Sequence, residues 1–327
     1  MKKIIGIGNA LVDILVHLQD DSLLAQLKLP KGSMQLVDEA TSAQVKQKLY
    51  AYKKDQASGG SAANTIHGIA RLGAETAYIG KVGNDELGRF FTNDLEKSKI
   101  KSTLLKSATP TGSAVALISP DSERTFATYL GAAVEMSAAE ITADMFEGYD
   151  FLHLEGYLVF NNELIEKAAR VAKEAGLKIS LDLASYNVVE ANLDFLTKLT
   201  KQYIDIVFAN EEEAKAFTGK EPEEALHAMA DMCEVAVVKV GAKGSLVKQN
   251  GQVTRVGAIH CKPIDTTGAG DLYAGGFLYG FANGYSMQNC GKLGALLAGK
   301  VIEVTGAKIP ENVWDQDILP QRFEIEK

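Results

Sequence analysis

The strongest chemical signal in the chain is Asp265-Thr266-Thr267-Gly268-Ala269-Gly270-Asp271, which runs straight into Leu272-Tyr273-Ala274-Gly275-Gly276-Phe277. Residues 268–270 have almost no side chain, so their backbone amides can approach a ligand closely. The apolar run behind them predicts a helix over 271–283. A helix start presents unpaired N–H groups and the positive end of the helix dipole, and both favour an anion. An acid in the first turn, Asp271, is then held beside that anion hole. Taking a proton from a substrate hydroxyl gives such an acid a task, and in-line phosphoryl transfer needs a base and clustered donors together. For a bare Gly-x-Gly-Asp, a turn with a capping aspartate would be the plainer account. The longer string favours chemistry.

A second small-residue string, Gly59-Gly60-Ser61-Ala62-Ala63-Asn64, opens a helix expected over 62–72 and closed by Gly73. Its glycines would let a substrate lie against backbone, and Asn64 offers both a donor and an acceptor to hydroxyls. Tight helix–sheet packing is the alternative use of the same residues. Asn210 and Glu213 stand at the start of an acidic helix, a spacing that also describes a capping pair. Gly241-Ala242-Lys243-Gly244 follows the strand expected over 235–240, and a lone Gly-x-x-Gly carries little by itself.

The elements that must position these groups alternate. Apolar runs at 4–8, 77–79, 178–183, 204–208 and 235–240 read as buried strands. Between them, Leu164, Ile165, Ala168, Ala169 and Ala172 share one helical face, and Gly176 stops that helix. Strand–helix alternation predicts an α/β fold, a mostly parallel central sheet covered by helices on both faces. Residues 111–119 and 124–130 flank Pro120-Asp121-Ser122-Glu123 and predict a β-hairpin, while 11–17 and 34–37 also look strand-like. A small antiparallel β lid would account for them, and such a flap closes over a substrate and excludes water.

The charge balance narrows the partners. With 34 basic and 42 acidic side chains the net charge is −8, and no basic block offsets it, so a nucleic-acid or anionic-membrane surface is not expected. The three cysteines are far apart, which predicts reduced thiols and a cytoplasmic location; an N-terminal apolar run interrupted by Asn9 and Asp13 is no secretory signal. The five histidines show no ligand spacing. Gly6-x-Gly8 suggests a dinucleotide fold, but Leu11 occupies the third glycine position and Asp13 comes too early for a ribose-binding acid.

Taken in order, the two glycine-rich strings resemble the ribokinase-like (PfkB) family of carbohydrate and nucleoside kinases. The later string fits that family's C-terminal signature at every position. The earlier one fits in Gly59-Gly60, Asn64, Gly73 and Gly83 and departs at Ile66, which would face helix packing rather than ligand. The resemblance spans Gly8 to Gly306 and implies one ribokinase-like domain over 1–327, its lid formed by segments of about 11–45 and 109–131. It implies an ATP- and Mg²⁺-dependent phosphotransferase in which Asp271 is the base and Gly268, Ala269 and Gly270 form the anion hole. Arg124 would reach the phosphate or close the lid. Asp13, Gly59, Gly60, Ser61 and Asn64 would hold the substrate, and Asn9 would reach a base. Asn210, Glu213, Lys239, Gly241 and Gly244 would serve the nucleotide, Glu213 acting on Mg²⁺ through water. Asp265 and Thr267 stand where many relatives bind a monovalent cation such as K⁺, and lid strands in this family often pair two subunits, so a homodimer is implied. Asn9-x-x-x-Asp13 and Glu123-Arg124-Thr125 leading to Gly131-Ala132-Ala133 look like the adenosine-kinase branch, with a fructokinase- or ribokinase-type sugar kinase as the alternative. A non-catalytic binding protein on this scaffold would be expected to lose Asp271 or the glycines, and this chain keeps both.

Overall fold

The computed structural model describes residues 2–121 and 123–326; Met1, Lys327 and Ser122, expected at the hairpin tip, lie outside the described residues. Along the first half run strands β1 (Ile4–Ile7), β2 (Leu11–His17), β3 (Met34–Leu36), β4 (Asp55–Gly59), β5 (Thr76–Gly83), β6 (Lys101–Ser107), β7 (Thr111–Ile118) and β8 (Arg124–Gly131). The second half adds β9 (Phe151–Glu155), β10 (Lys178–Asp182), β11 (Ile206–Asn210), β12 (Val235–Lys239), β13 (Ser245–Gln249) and β14 (Gln252–Val256).

Among the described residues nine strands form one sheet, in the order β14-β13-β12-β11-β10-β9-β1-β5-β6. Pairing is parallel from β12 to β6, and β13 and β14 extend the other edge as antiparallel strands. The central strands are apolar throughout because helices cover both faces. Alternate side chains feed two separate cores: Val235 and Val237 enter one, Ala236 and Val238 the other. The helix Asn162–Glu174 turns Leu164, Ile165, Ala168, Ala169 and Ala172 into the second core, as its periodicity predicts. Helix Ala269–Ala282 is different. It is buried from Leu272 through Gly280, so it carries no polar face to set against water. Burying Phe277 alone contributes roughly 1.5–3 kcal/mol.

A second sheet, β3-β8-β7-β2-β4, stands off the first. The expected hairpin is there as the antiparallel pair β7–β8, and β2–β4 is also antiparallel, while β2–β7 and β3–β8 run parallel. β4, with the sequence Asp-Gln-Ala-Ser-Gly, belongs to this sheet as well as the segments 11–45 and 109–131. Its composition disfavours a strand, and pairing with β2 imposes one. The polar edge strand β6 escapes a pattern-based reading for the same reason. No helix among the described residues is long and apolar enough to cross a membrane.

Candidate active site

The sheet delivers its polar groups at one rim. Glu155 ends β9, Asp182 ends β10, Asn210 ends β11 and Lys239 ends β12, and Asn9 follows β1. In-register pairing sets Asp182 beside Glu155 and Asn210 beside Lys239. The carboxyl ends of parallel strands are where open α/β sheets hold ligands.

Asp271 faces this rim from the first turn of the helix Ala269–Ala282. Ser61 Oγ donates to its Oδ1 at 2.7 Å, and Asn64 Nδ2 donates to its Oδ2 at 3.0 Å. Both donors come from the helix Ser61–Arg71, so the two glycine-rich strings meet on one carboxylate. They can meet because the helices touch: a Cβ on Gly275 would fall 2.9 Å from Thr65 O, and Thr65 Oγ1 donates to the Asp271 carbonyl at 3.1 Å. Burial pushes the Asp271 carboxyl up to about 6, against the pull of the Asn64 and Ser61 hydrogen bonds. At neutral pH it is an anion poised to accept a proton.

Gly268 caps the helix with φ of 75° and no side-chain cap. Beside the turn lies Lys239, whose Nζ is 3.1 Å from where a Cβ on Gly270 would stand. The ammonium donates to Asp182 Oδ2 at 2.9 Å. Burial works against its charge, but Asp182 and Glu213 outweigh that and hold it protonated. Glu213 is buried and pushed up to about 7 by burial, with Asp182 adding to the effect. Asn210 Oδ1 accepts from the Glu213 amide at 2.8 Å, and Glu213 Oε2 accepts from the Asn210 amide at 2.8 Å. The capping pair is therefore formed, at the rim where the nucleotide residues were expected. The Gly241–Lys243 turn, ending at Gly244, follows Lys239 directly.

On the side of the second sheet, the Asp13 carboxylate lies against Gly59: a Cβ there would sit 2.3 Å from Oδ1. Burial pushes Asp13 up to about 7. Asn9 turns to the interior, its Nδ2 donating to Glu155 Oε1 at 2.6 Å, so it braces the wall instead of reaching toward a ligand. Arg124 crosses from β8 to pair with Asp265, whose carboxylate also accepts from the amides of Thr267 at 2.9 Å and Gly306 at 2.6 Å. The Asp265 carboxylate is thus paired with a guanidinium, and Arg124 ties β8 to the turn before Gly268.

Three groups went unseen in the sequence. Glu155, Asp182 and Lys308 all contribute charge to this site. The signal for the first two was an acid closing an otherwise apolar run, Phe-Leu-His-Leu-Glu and Lys-Ile-Ser-Leu-Asp. His153 is buried with Nδ1 on Ser180 Oγ at 2.9 Å, and burial lowers it to about 4, so it stays neutral as a core residue.

The family profile described as pfkB family carbohydrate kinase matches residues 34–314. An uncharacterized sugar kinase of Archaeoglobus fulgidus is 31% identical over 251 residues, covering 75% of this chain and 99% of that protein. The crystal structure of a probable sugar kinase from Rhizobium etli CFN 42 superposes with a TM-score of 0.86 at 34% identity, covering 99% of this chain and 98% of the other. An adenosine kinase from Sinorhizobium meliloti superposes with a TM-score of 0.85 at 35% identity, covering 99% of both chains. With a rim of polar strand ends, a glycine-rich helix mouth and these matches over most of its length, the chain belongs to the pfkB family of carbohydrate kinases.

Proposed function

We propose that this kinase transfers the γ-phosphoryl group of ATP to the hydroxymethyl oxygen (5′-OH type) of a ribonucleoside such as adenosine. The observation that carries the reading is the Asp271 carboxylate, fixed by Ser61 and Asn64 at the mouth of an uncapped helix with Lys239 alongside. Asp271 takes the hydroxyl proton as the new O–P bond forms and the bond from the γ-phosphorus to the ADP oxygen breaks. The amides of residues 268–270 and the Lys239 ammonium face the charge that gathers on the moving phosphoryl oxygens. Asp13 and Asn64 orient the substrate from the other side, and the β2–β4 and β7–β8 strands exclude water.

Among the described residues no group of three or more His, Cys, Asp or Glu side chains could hold a metal by itself. Mg²⁺, which the family implies, keeps several waters and is bound through one or two carboxylates plus substrate phosphates, and Glu213 and Asp182 are the carboxylates at hand. When bound it would neutralise phosphate charge. We assign no step to a monovalent cation, since Asp265 is engaged by Arg124. Pairing of two subunits would use the lid edge, where Met34 and Leu36 are 62% and 63% exposed.

The nucleoside reading is favoured by the similarity to the Sinorhizobium adenosine kinase; a sugar kinase is the second reading, favoured by the Rhizobium and Archaeoglobus proteins. A coupled assay of Mg²⁺-dependent ADP release with adenosine, ribose and fructose separates them. Adenosine should give the highest kcat/KM. Turnover of fructose or ribose with none of adenosine would install the second reading.

A further inference from the structure

Lys308 is a charged side chain at the active site that the mechanism above does not use. It follows a pair of residues packed on the anion-hole turn: Gly306 N donates to Asp265, and a Cβ on Gly268 would fall 2.6 Å from Ala307 Cβ. Its Nζ is buried and has no hydrogen-bond partner among the described residues. An ammonium left this way is costly, because it loses its water without gaining an acceptor.

The charged and titratable groups that face it come from every neighbouring element. They are Asp13 on β2, Asp94 on the helix Glu86–Lys97, Asp271 on the helix Ala269–Ala282 and His67 on the helix Ser61–Arg71. Asp94 is occupied by the Ser58 amide and hydroxyl, and Asp271 by Ser61 and Asn64. Lys308 and Asp13 are close enough to couple electrostatically, yet no hydrogen bond joins them. A group that fits between them must donate to one and accept from the other. A hydroxyl does both. The same space holds one ammonium against three carboxyl groups, so a ligand that brings its own negative charge meets a net negative wall.

We propose that Lys308 determines substrate specificity: its ammonium donates a hydrogen bond to the oxygen of a substrate hydroxyl whose O–H in turn donates to the Asp13 carboxylate, which selects a neutral polyol over a sugar acid. The assignment rests on the kinase reading of the site and names the class of alcohol it takes. Burial lowers the Lys308 ammonium to about 8 against the opposing pull of Asp94, Asp13 and Asp271, as an ammonium awaiting its acceptor should be.

The test uses the full chain and its Lys308→Met variant, with Lys308→Gln alongside in case the first folds poorly. Steady-state kinetics and ligand-induced thermal shifts are read with adenosine, 2′-deoxyadenosine, 3′-deoxyadenosine, ribose, fructose and the sugar acid ribonate. For the preferred neutral substrate, removing Lys308 should raise KM about tenfold or more while kcat stays within about threefold, the pattern of lost uniform binding. With an analogue that lacks the bridging hydroxyl, wild type should already bind poorly and the variant should lose little more. Ribonate should give wild type no shift.

An unchanged KM in the variant, an equal loss on every analogue, or a wild-type preference for ribonate would each overturn the proposal. Lys308-dependent stabilisation by a neutral polyol that is never phosphorylated would keep the proposal and remove the Asp271 transfer reading instead, so the two fail separately.

Discussion

Two helices in this molecule begin alike, with a glycine at positive φ and no capping side chain of its own. Gly60 has φ of 97° before the helix Ser61–Arg71, and Gly268 has φ of 75° before the helix Ala269–Ala282. They differ in what meets the mouth. At the first, Glu155 arrives from the end of β9, and its Oε2 accepts from the Ala62 amide at 2.9 Å while Oε1 takes the Asn9 amide at 2.8 Å. At the second, no side chain caps the turn, and a cation, Lys239, lies alongside. A helix mouth filled by the protein's own carboxylate is a joint. One left open with an ammonium beside it is a receptor for an anion. The local sequences look alike; their partners in the fold suit one to structure and the other to the proposed chemistry.

The largest expected effect follows from the open mouth. Asp271→Asn should cut turnover by about 10²- to 10⁴-fold, the range of a positioned base, with melting temperature and ATP affinity close to wild type. Lys239→Met comes next. Losing a donor aimed at the migrating charge should cost about 10²-fold in kcat, read by single-turnover kinetics at saturating ATP. Asn64→Ala removes a hydrogen bond to the ionised base, and a loss of about tenfold in kcat/KM is expected.

The closed mouth should answer in stability. Glu155→Gln leaves the Ala62 amide facing a side-chain N–H if Asn9 keeps its oxygen, so a loss of roughly 1–3 kcal/mol is expected in urea titration, with kcat within a few-fold. The pH dependence follows from the direction of its shift. Burial raises the Glu155 carboxyl from 4.5 to about 7, so the folded chain binds the extra proton between those values. The stability from that proton is complete below 4.5 and lost as pH rises through 7. The gap between variant and wild type should therefore narrow from pH 5 to pH 8. A Glu155 variant that folds normally but fails in chemistry would erase the distinction between the mouths.

Much of this site was legible locally. The glycine strings, Asp271, Asn64 and the Asn210–Glu213 pair declare themselves within a few residues, because a helix start and its cap are short-range objects. Glu155 does not. It meets Asn9 and Ala62 only because β1 lies between β5 and β9, an order that no stretch of sequence encodes. Lys308 sits in a loop and acquires its meaning from three acids on three different elements. Arg124 opens β8, within the hairpin expected from the sequence, but its partner, Asp265, depends on how far β8 reaches over the turn. β4 and β6 were hidden by polar composition that pairing overrides.

The pH dependence of kcat/KM in wild type and Asn64→Ala tests the central claim most directly, because it reports the free enzyme's base. With Asp271 held at about 6, wild type should lose activity as pH falls through that value, and the fall should move to higher pH once the Asn64 hydrogen bond that lowers it is gone. A rate that holds level down to pH 5, or a profile that the Asn64 variant leaves in place, would contradict Asp271 as the group that deprotonates the substrate.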